Sequence, residues 1–155
     1  MKVTARDLQL DGLLNGLSVL VLEDEYVLAA DAQGVLSRAG ARVIGPFGSA
    51  IDALAAAERS RPDCALLDLD LGTGLDFAPA RALRQRGVPL VFFTGYDMSV
   101  VPADLRKERF LEKPVFMAAI VDVVASACAG ARGRRAAEDF GHAHGQAGFW
   151  RTSCP

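Results

Sequence analysis

Cysteine is scarce in this chain. There are three, Cys64, Cys128 and Cys154, with no Cys-x-x-Cys pair and no metal-ligand spacing among them. That removes a thiolate metal site from consideration. Two of the three lie in apolar segments and read as inert buried thiols. An odd count without a signal peptide fits a reducing cytosol. Long hydrophobic runs are missing as well. No stretch approaches the ~20 uninterrupted apolar residues of a membrane span, so no membrane partner is expected. Residues 1 to 16 alternate charge and leucine and lack the apolar centre of a signal peptide. Nor is there an excess of one charge sign: 17 Lys and Arg face 19 Asp and Glu, a net charge of -2. General nucleic-acid binding therefore has no electrostatic basis. These absences together predict a cytoplasmic protein.

What is present suits one globular domain. The 155 residues are 51% hydrophobic, enough for a real core. The middle of the chain reads as five repeats of strand then helix. Strands are expected near 17–22, 42–47, 64–68, 90–93 and 110–112. The runs at 64–68 and 90–93 are continuously apolar, the mark of inner parallel strands buried on both faces. The first helix carries a stripe at Leu28, Ala32, Val35, Leu36 and Ala39, and Gly40 stops it. Ser49 offers an N-cap to the second helix, which ends before Pro62. Asp76 caps the third, with Pro79 in its first turn and Gly87 after it. Residues 95–109 hold one short helix at most. A last helix is expected from Pro114 to about Ala129. This alternation predicts an α/β fold, a doubly wound five-stranded parallel sheet with a reduced fourth helix. Residues 1–16 form an N-terminal extension, 17–129 the domain, and 130–155 a flexible C-terminal tail poor in groups to bury.

Four apolar runs end on chemically useful residues. Leu17 to Leu22 leads to Glu23-Asp24. Pro62 to Leu67 leads to Asp68. Pro89 to Phe93 leads to Thr94, and Phe110-Leu-Glu leads to Lys113. Open parallel sheets gather the carboxyl ends of their strands at one edge, where active sites sit. Clustered carboxylates need a cation between them. Carboxylate oxygens suit Mg²⁺, which also binds phosphate oxygens. Glu23, Asp24 and Asp68 therefore read as a metal site for phosphoryl chemistry, with Asp68 as the nucleophile of an aspartyl phosphate. Lys113 supplies a point charge and Thr94 a donor to phosphoryl oxygens. Gly95, lacking a Cβ, leaves room for the incoming group.

Glu23-Asp24, Asp68, Thr94 and Lys113-Pro114 resemble the signature of the response-regulator receiver domain of two-component signalling, over roughly Leu17 to Ala129. Their order and the Asp24 to Asp68 spacing are typical of that family. The run Phe93-Thr-Gly-Tyr96 resembles the Phe-Ala-Thr-Gly-Tyr motif of a subgroup of stand-alone receivers, with Phe93 in place of Ala. The resemblance implies a flavodoxin-like strand order of 2-1-3-4-5. It implies a histidine kinase or phosphotransfer protein as phosphoryl donor to Asp68. It implies Mg²⁺ held by Asp24, Asp68 and the backbone carbonyl of Asp70, with Glu23 acting through water. It further implies that Thr94 moves toward the phosphoryl group, coupled to a switch aromatic three residues before the lysine, here Phe110.

The expected output is an altered contact with a downstream protein, a switch and not a turnover enzyme. Two other readings compete. Asp68-Leu-Asp70 is similar to the Asp-x-Asp motif of haloacid-dehalogenase phosphatases. Those enzymes place their further acids after the lysine, whereas here Glu23-Asp24 precede the nucleophile. The third reading is a phosphorylation-independent adaptor. The last helix is apolar nearly all round, with one stripe at Phe116, Ile120, Val123 and Ala127. That stripe serves either as a homodimer or partner surface, or as the seat of a lid formed by Leu8, Leu10, Leu13 and Leu14.

Overall fold

The computed structural model describes residues 10–143, and side-chain environments through Gly130. Five parallel strands form one sheet: β1 (Ser18–Leu22), β2 (Arg42–Phe47), β3 (Cys64–Leu67), β4 (Leu90–Thr94) and β5 (Arg109–Glu112). Their order is β2-β1-β3-β4-β5, the expected one. Four α-helices accompany them: α1 (Tyr26–Arg38), α2 (Ala50–Ser60), α3 (Ala78–Gln85) and α4 (Met117–Ala143). Every residue of β1, β3 and β4 is buried, as continuous apolar strands require.

Strand alternation divides the interior into two cores. On one face Val19, Val21, Cys64, Leu66, Val91 and Phe93 meet Ala32 and Leu36 of α1 and Ile120, Val121 and Val124 of α4. On the other face Leu20, Leu22, Ala65, Leu67, Leu90 and Phe92 meet Ala53, Ala56 and Ala57 of α2 and Ala80 and Leu83 of α3. Helix ends follow their local signals. Gly40 has φ of 94°, a conformation costly for any residue with a Cβ. The Gly40 N–H donates to the Ser37 carbonyl and the Ala41 N–H to that of Leu36, a Schellman stop for α1. Asp76 Oδ1 accepts from the Ala78 N–H at 2.8 Å and so starts α3.

The structure bears out the sequence reading between β4 and β5 and departs from it in two other places. The reduced fourth helix there is a 3₁₀ turn, Met98–Val100, followed by further turns. Asp97 accepts from the Ser99 N–H, and Pro102 lacks the N–H that would continue the helix. The segment is pinned by Val101 and Leu105, both buried in the second core.

The first departure is in α4, which passes the break expected at Gly130 and runs to Ala143, so part of the expected tail is helical. Gly130, Gly133 and Gly141 each cost about 1 kcal/mol in a helix, but the alanines and arginines among them are good helix formers. The remainder of that tail, with Phe149 and Trp150, lies outside the described residues, as do Leu8 and Cys154.

The second departure concerns the proposed surface stripe. Ile120 is fully buried in the chain's own core, so it is not an interface residue. Val123 packs partly buried against the same core, and Phe116 precedes the helix and is 89% exposed. The stripe was drawn one residue too far toward the helix start, where helical spacing no longer applies. Leu14 is fully buried in that core and Leu10 packs against it, so the N-terminal extension supplies some of the cover. Leu13 points largely outward. Among the described residues no helix is long and apolar enough to cross a membrane.

Candidate functional site

Pairing of strand ends brings the predicted residues together. The Asp68 N–H donates to the Leu22 carbonyl at 2.8 Å, which sets Asp68 beside Glu23-Asp24. The Lys113 N–H donates to the Thr94 carbonyl at 2.8 Å, which sets the lysine beside the threonine. Glu23, Asp24, Asp68, Asp70, Thr94, Gly95, Tyr96 and Lys113 all line one open cavity of about 480 Å³.

The charges are arranged around the lysine. Lys113 Nζ donates to Glu23 Oε2 at 2.6 Å and to Asp68 Oδ2 at 2.8 Å. Asp68 Oδ1 accepts from the N–H groups of Leu69 at 2.6 Å and Asp70 at 3.2 Å. Both carboxylate oxygens of Asp68 are thus fixed in direction. Glu23 is buried, and burial pushes its carboxyl up, against the pull of Lys113 and the Glu25 N–H. Burial works against the Lys113 ammonium, but hydrogen bonds to Asp68 and Glu23 outweigh it and hold its pKa above the ordinary value. The lysine is therefore charged throughout the physiological range.

Glu23, Asp24 and Asp68 each offer a carboxylate oxygen within 4.8 Å of the others, a spacing compatible with one divalent cation. Asp24 is the exposed member. Gly72 allows the neighbouring loop to approach it: a Cβ there would lie 3.3 Å from Asp24 Oδ2. Thr94 is fully buried, and its Oγ1 has no hydrogen-bond partner. A buried hydroxyl left unmade costs about 1–3 kcal/mol, so an incoming acceptor has a donor waiting. A Cβ on Gly95 would meet nothing within 4 Å, which leaves the approach open. The donors and acids present therefore fit both a cation and a phosphoryl group.

Two predicted residues keep their side chains out of the acidic cluster, although Asp70, whose expected ligand is its backbone carbonyl, lines the cavity. The Asp70 carboxylate turns away. Its Oδ1 accepts from the N–H groups of Gly72 and Gly74, both at 2.9 Å, and its Oδ2 accepts from the Tyr96 hydroxyl at 2.9 Å. The Tyr96 bond, with that of Gly74, holds the Asp70 carboxyl below the usual range, and the same bond pushes the Tyr96 phenol up. Phe110 lies on β5 opposite Phe92, half-buried against the second core and off the cavity wall.

Sequence reasoning missed two contacts. One is the Tyr96–Asp70 bond, although Tyr96 belonged to the quoted motif. The other is the Phe93 ring beneath the Lys113 ammonium, 4.8 Å from Nζ to the ring centroid. Its only signal was the large residue where Ala was anticipated.

The sequence matches the response regulator receiver domain over residues 19–125. The phyllosphere-induced regulator PhyR of Methylorubrum extorquens is 31% identical over 112 residues, covering 70% of this chain and 42% of that protein. The chain thus spans less than half the length of this curated relative. The response regulator PhyR of Brucella abortus superposes with a TM-score of 0.66 at 20% identity, over 84% of this chain and 56% of that one. A signal receiver domain from Vibrio parahaemolyticus gives 0.70 at 23% identity, over 79% and 97%. At such identities the likeness to the solved structures concerns the fold alone.

Proposed function

The chain belongs to the response regulator receiver family, and from that premise we propose that Asp68 accepts a phosphoryl group from a histidine kinase or phosphotransfer protein. In that transfer the phosphorus–nitrogen bond of a phosphohistidine breaks, a bond from phosphorus to an Asp68 oxygen forms, and the imidazole leaves with its electron pair. The observation that carries this reading is the Thr94 hydroxyl, buried and unpartnered beside the Asp68–Lys113 pair.

Phosphoryl transfer asks mainly for positioning and charge neutralisation. Backbone N–H groups of Leu69 and Asp70 and the Lys113 ammonium orient the nucleophile. Lys113 and Thr94 are the donors for phosphoryl oxygens. Glu23, Asp24 and Asp68, with the Asp70 backbone, would hold Mg²⁺. When bound, that ion neutralises the acids and the phosphoryl oxygens. Thr94 and Phe110 are the switch pair in this reading, and the output is a changed protein–protein contact with a downstream partner. The protein works as a switch without turnover.

Intact mass after incubation with Mg²⁺ and acetyl phosphate tests the proposal. One base-labile phosphoryl adduct, missing in Asp68→Ala, is the expected result. Steady phosphate release with no adduct would replace the switch by a phosphatase.

A further inference from the structure

Lys113 is tied to β4 twice. Its N–H donates to the Thr94 carbonyl, and its ammonium stands over the ring of the preceding residue, Phe93, at 4.8 Å from the centroid. The ring is 1% exposed and packs in the core with Val91, Ile120 and Val121, so it is held from behind. Two further anchors, Glu23 Oε2 and Asp68 Oδ2, complete the surroundings of Nζ. An aromatic face attracts a cation through its quadrupole, and more strongly when both are screened from water. The Lys113 side chain is 15% exposed. An alanine in place of Phe93 would end at Cβ and offer no such face.

We propose that Phe93 is a positioning residue for Lys113, its ring face holding the ammonium at the acceptor oxygen of Asp68. The inference rests on the phosphoryl-accepting reading of the site. It gives the lysine an anchor that transfer leaves unchanged. Once Asp68 is phosphorylated, its contact with the ammonium is replaced by one to a phosphoryl oxygen, whereas the ring and Glu23 stay as they were. The ring also takes up a side of the ammonium that water would otherwise solvate, so the lysine remains directed at the acids.

Graded fluorination of Phe93 separates this role from packing. Replacing it with 4-fluoro-, 3,5-difluoro- and 3,4,5-trifluorophenylalanine drains the ring face of negative charge while nearly conserving shape. Two quantities are read on the full chain. The first is the NMR shift of the Lys113 ε-methylene protons without any phosphoryl donor, expected upfield from the ring and lost in Phe93→Leu. The second is the rate of adduct formation with Mg²⁺ and acetyl phosphate, expected to fall stepwise along the series by about threefold to tenfold in total. Thermal midpoints monitor packing.

An unshifted Lys113 signal in the unmodified protein would overturn the inference. So would a shifted signal with rates flat across the series. A shifted signal with no adduct in any of the proteins, the unmodified one included, would overturn the phosphoryl reading and this role with it, while the ring contact itself would stand.

Discussion

At the amino end of the sheet, Asp63 Oδ2 accepts from the Ser18 N–H at 2.9 Å and from the Ser18 hydroxyl at 3.0 Å, and the Ser18 hydroxyl accepts from the Asp63 N–H at 3.3 Å. Both residues are buried, and each answers the other. At the carboxyl end, Thr94 is buried with an unanswered hydroxyl, and three carboxylates cluster, two of them bonded to one lysine. The same sheet thus closes one end with reciprocal hydrogen bonds and leaves the other incomplete. A satisfied buried polar pair is a structural device, while an unsatisfied one has a cost that folding alone does not repay. The contrast singles out the carboxyl end as the candidate site without reference to any relative.

Substitutions at the two ends should separate activity from stability. Asp68→Ala is expected to remove the phosphoryl adduct entirely, as seen by intact mass, with the fold retained by circular dichroism. Asp63→Ala should do the reverse. It strands the Ser18 N–H and hydroxyl, so urea denaturation should show a loss of about 1–3 kcal/mol, with adduct formation intact. An Asp63 variant with full stability would erase the distinction between the ends. Thr94→Val replaces the orphan hydroxyl by a methyl of similar size. It should hold or raise stability by up to about 1 kcal/mol in the same urea titration, and still accept a phosphoryl group. Its NMR shifts around Phe110 should then no longer respond to phosphorylation.

The smallest effect belongs to an exposed pair at neither end. The hydrogen bond from Arg81 holds the Asp104 carboxyl below its ordinary value of 3.8. A carboxyl with a depressed folded pKa contributes stability above its unfolded value and loses it as pH falls through the folded one. The difference in urea midpoint between the protein and Asp104→Asn should therefore be slight at neutral pH and vanish in acid, as surface pairs contribute little.

The sheet and its strand ends were legible because each is punctuated locally. Apolar runs such as Leu90 to Phe93 stop on a polar residue, and Gly40 and Gly87 close helices through bonds to their own last turns. That punctuation named Glu23, Asp24, Asp68, Thr94 and Lys113, which the structure gathers. Contacts between elements carry no such mark. Nothing near Ser18 announces Asp63, 45 residues on. The Asp70 carboxylate could be counted among the acids, but its capture by Tyr96 depends on how two loops meet. Ile120 and Phe116 look alike in sequence, and only the position of the helix start sends one inward and leaves the other outside.

The turn-rich crossover between β4 and β5 bears on what can be observed. Four of its backbone bonds reach back three residues: Val100 to Asp97, Val101 to Met98, Leu105 to Pro102 and Glu108 to Leu105. Bonds of that kind break one at a time, whereas those of the buried strands on either side yield only with the sheet. Amide hydrogens from 100 to 108 should therefore trade for deuterium well before those of β4. Since this stretch leaves β4 just past Thr94, its exchange clock offers a local gauge of the site, readable without knowing which protein listens downstream.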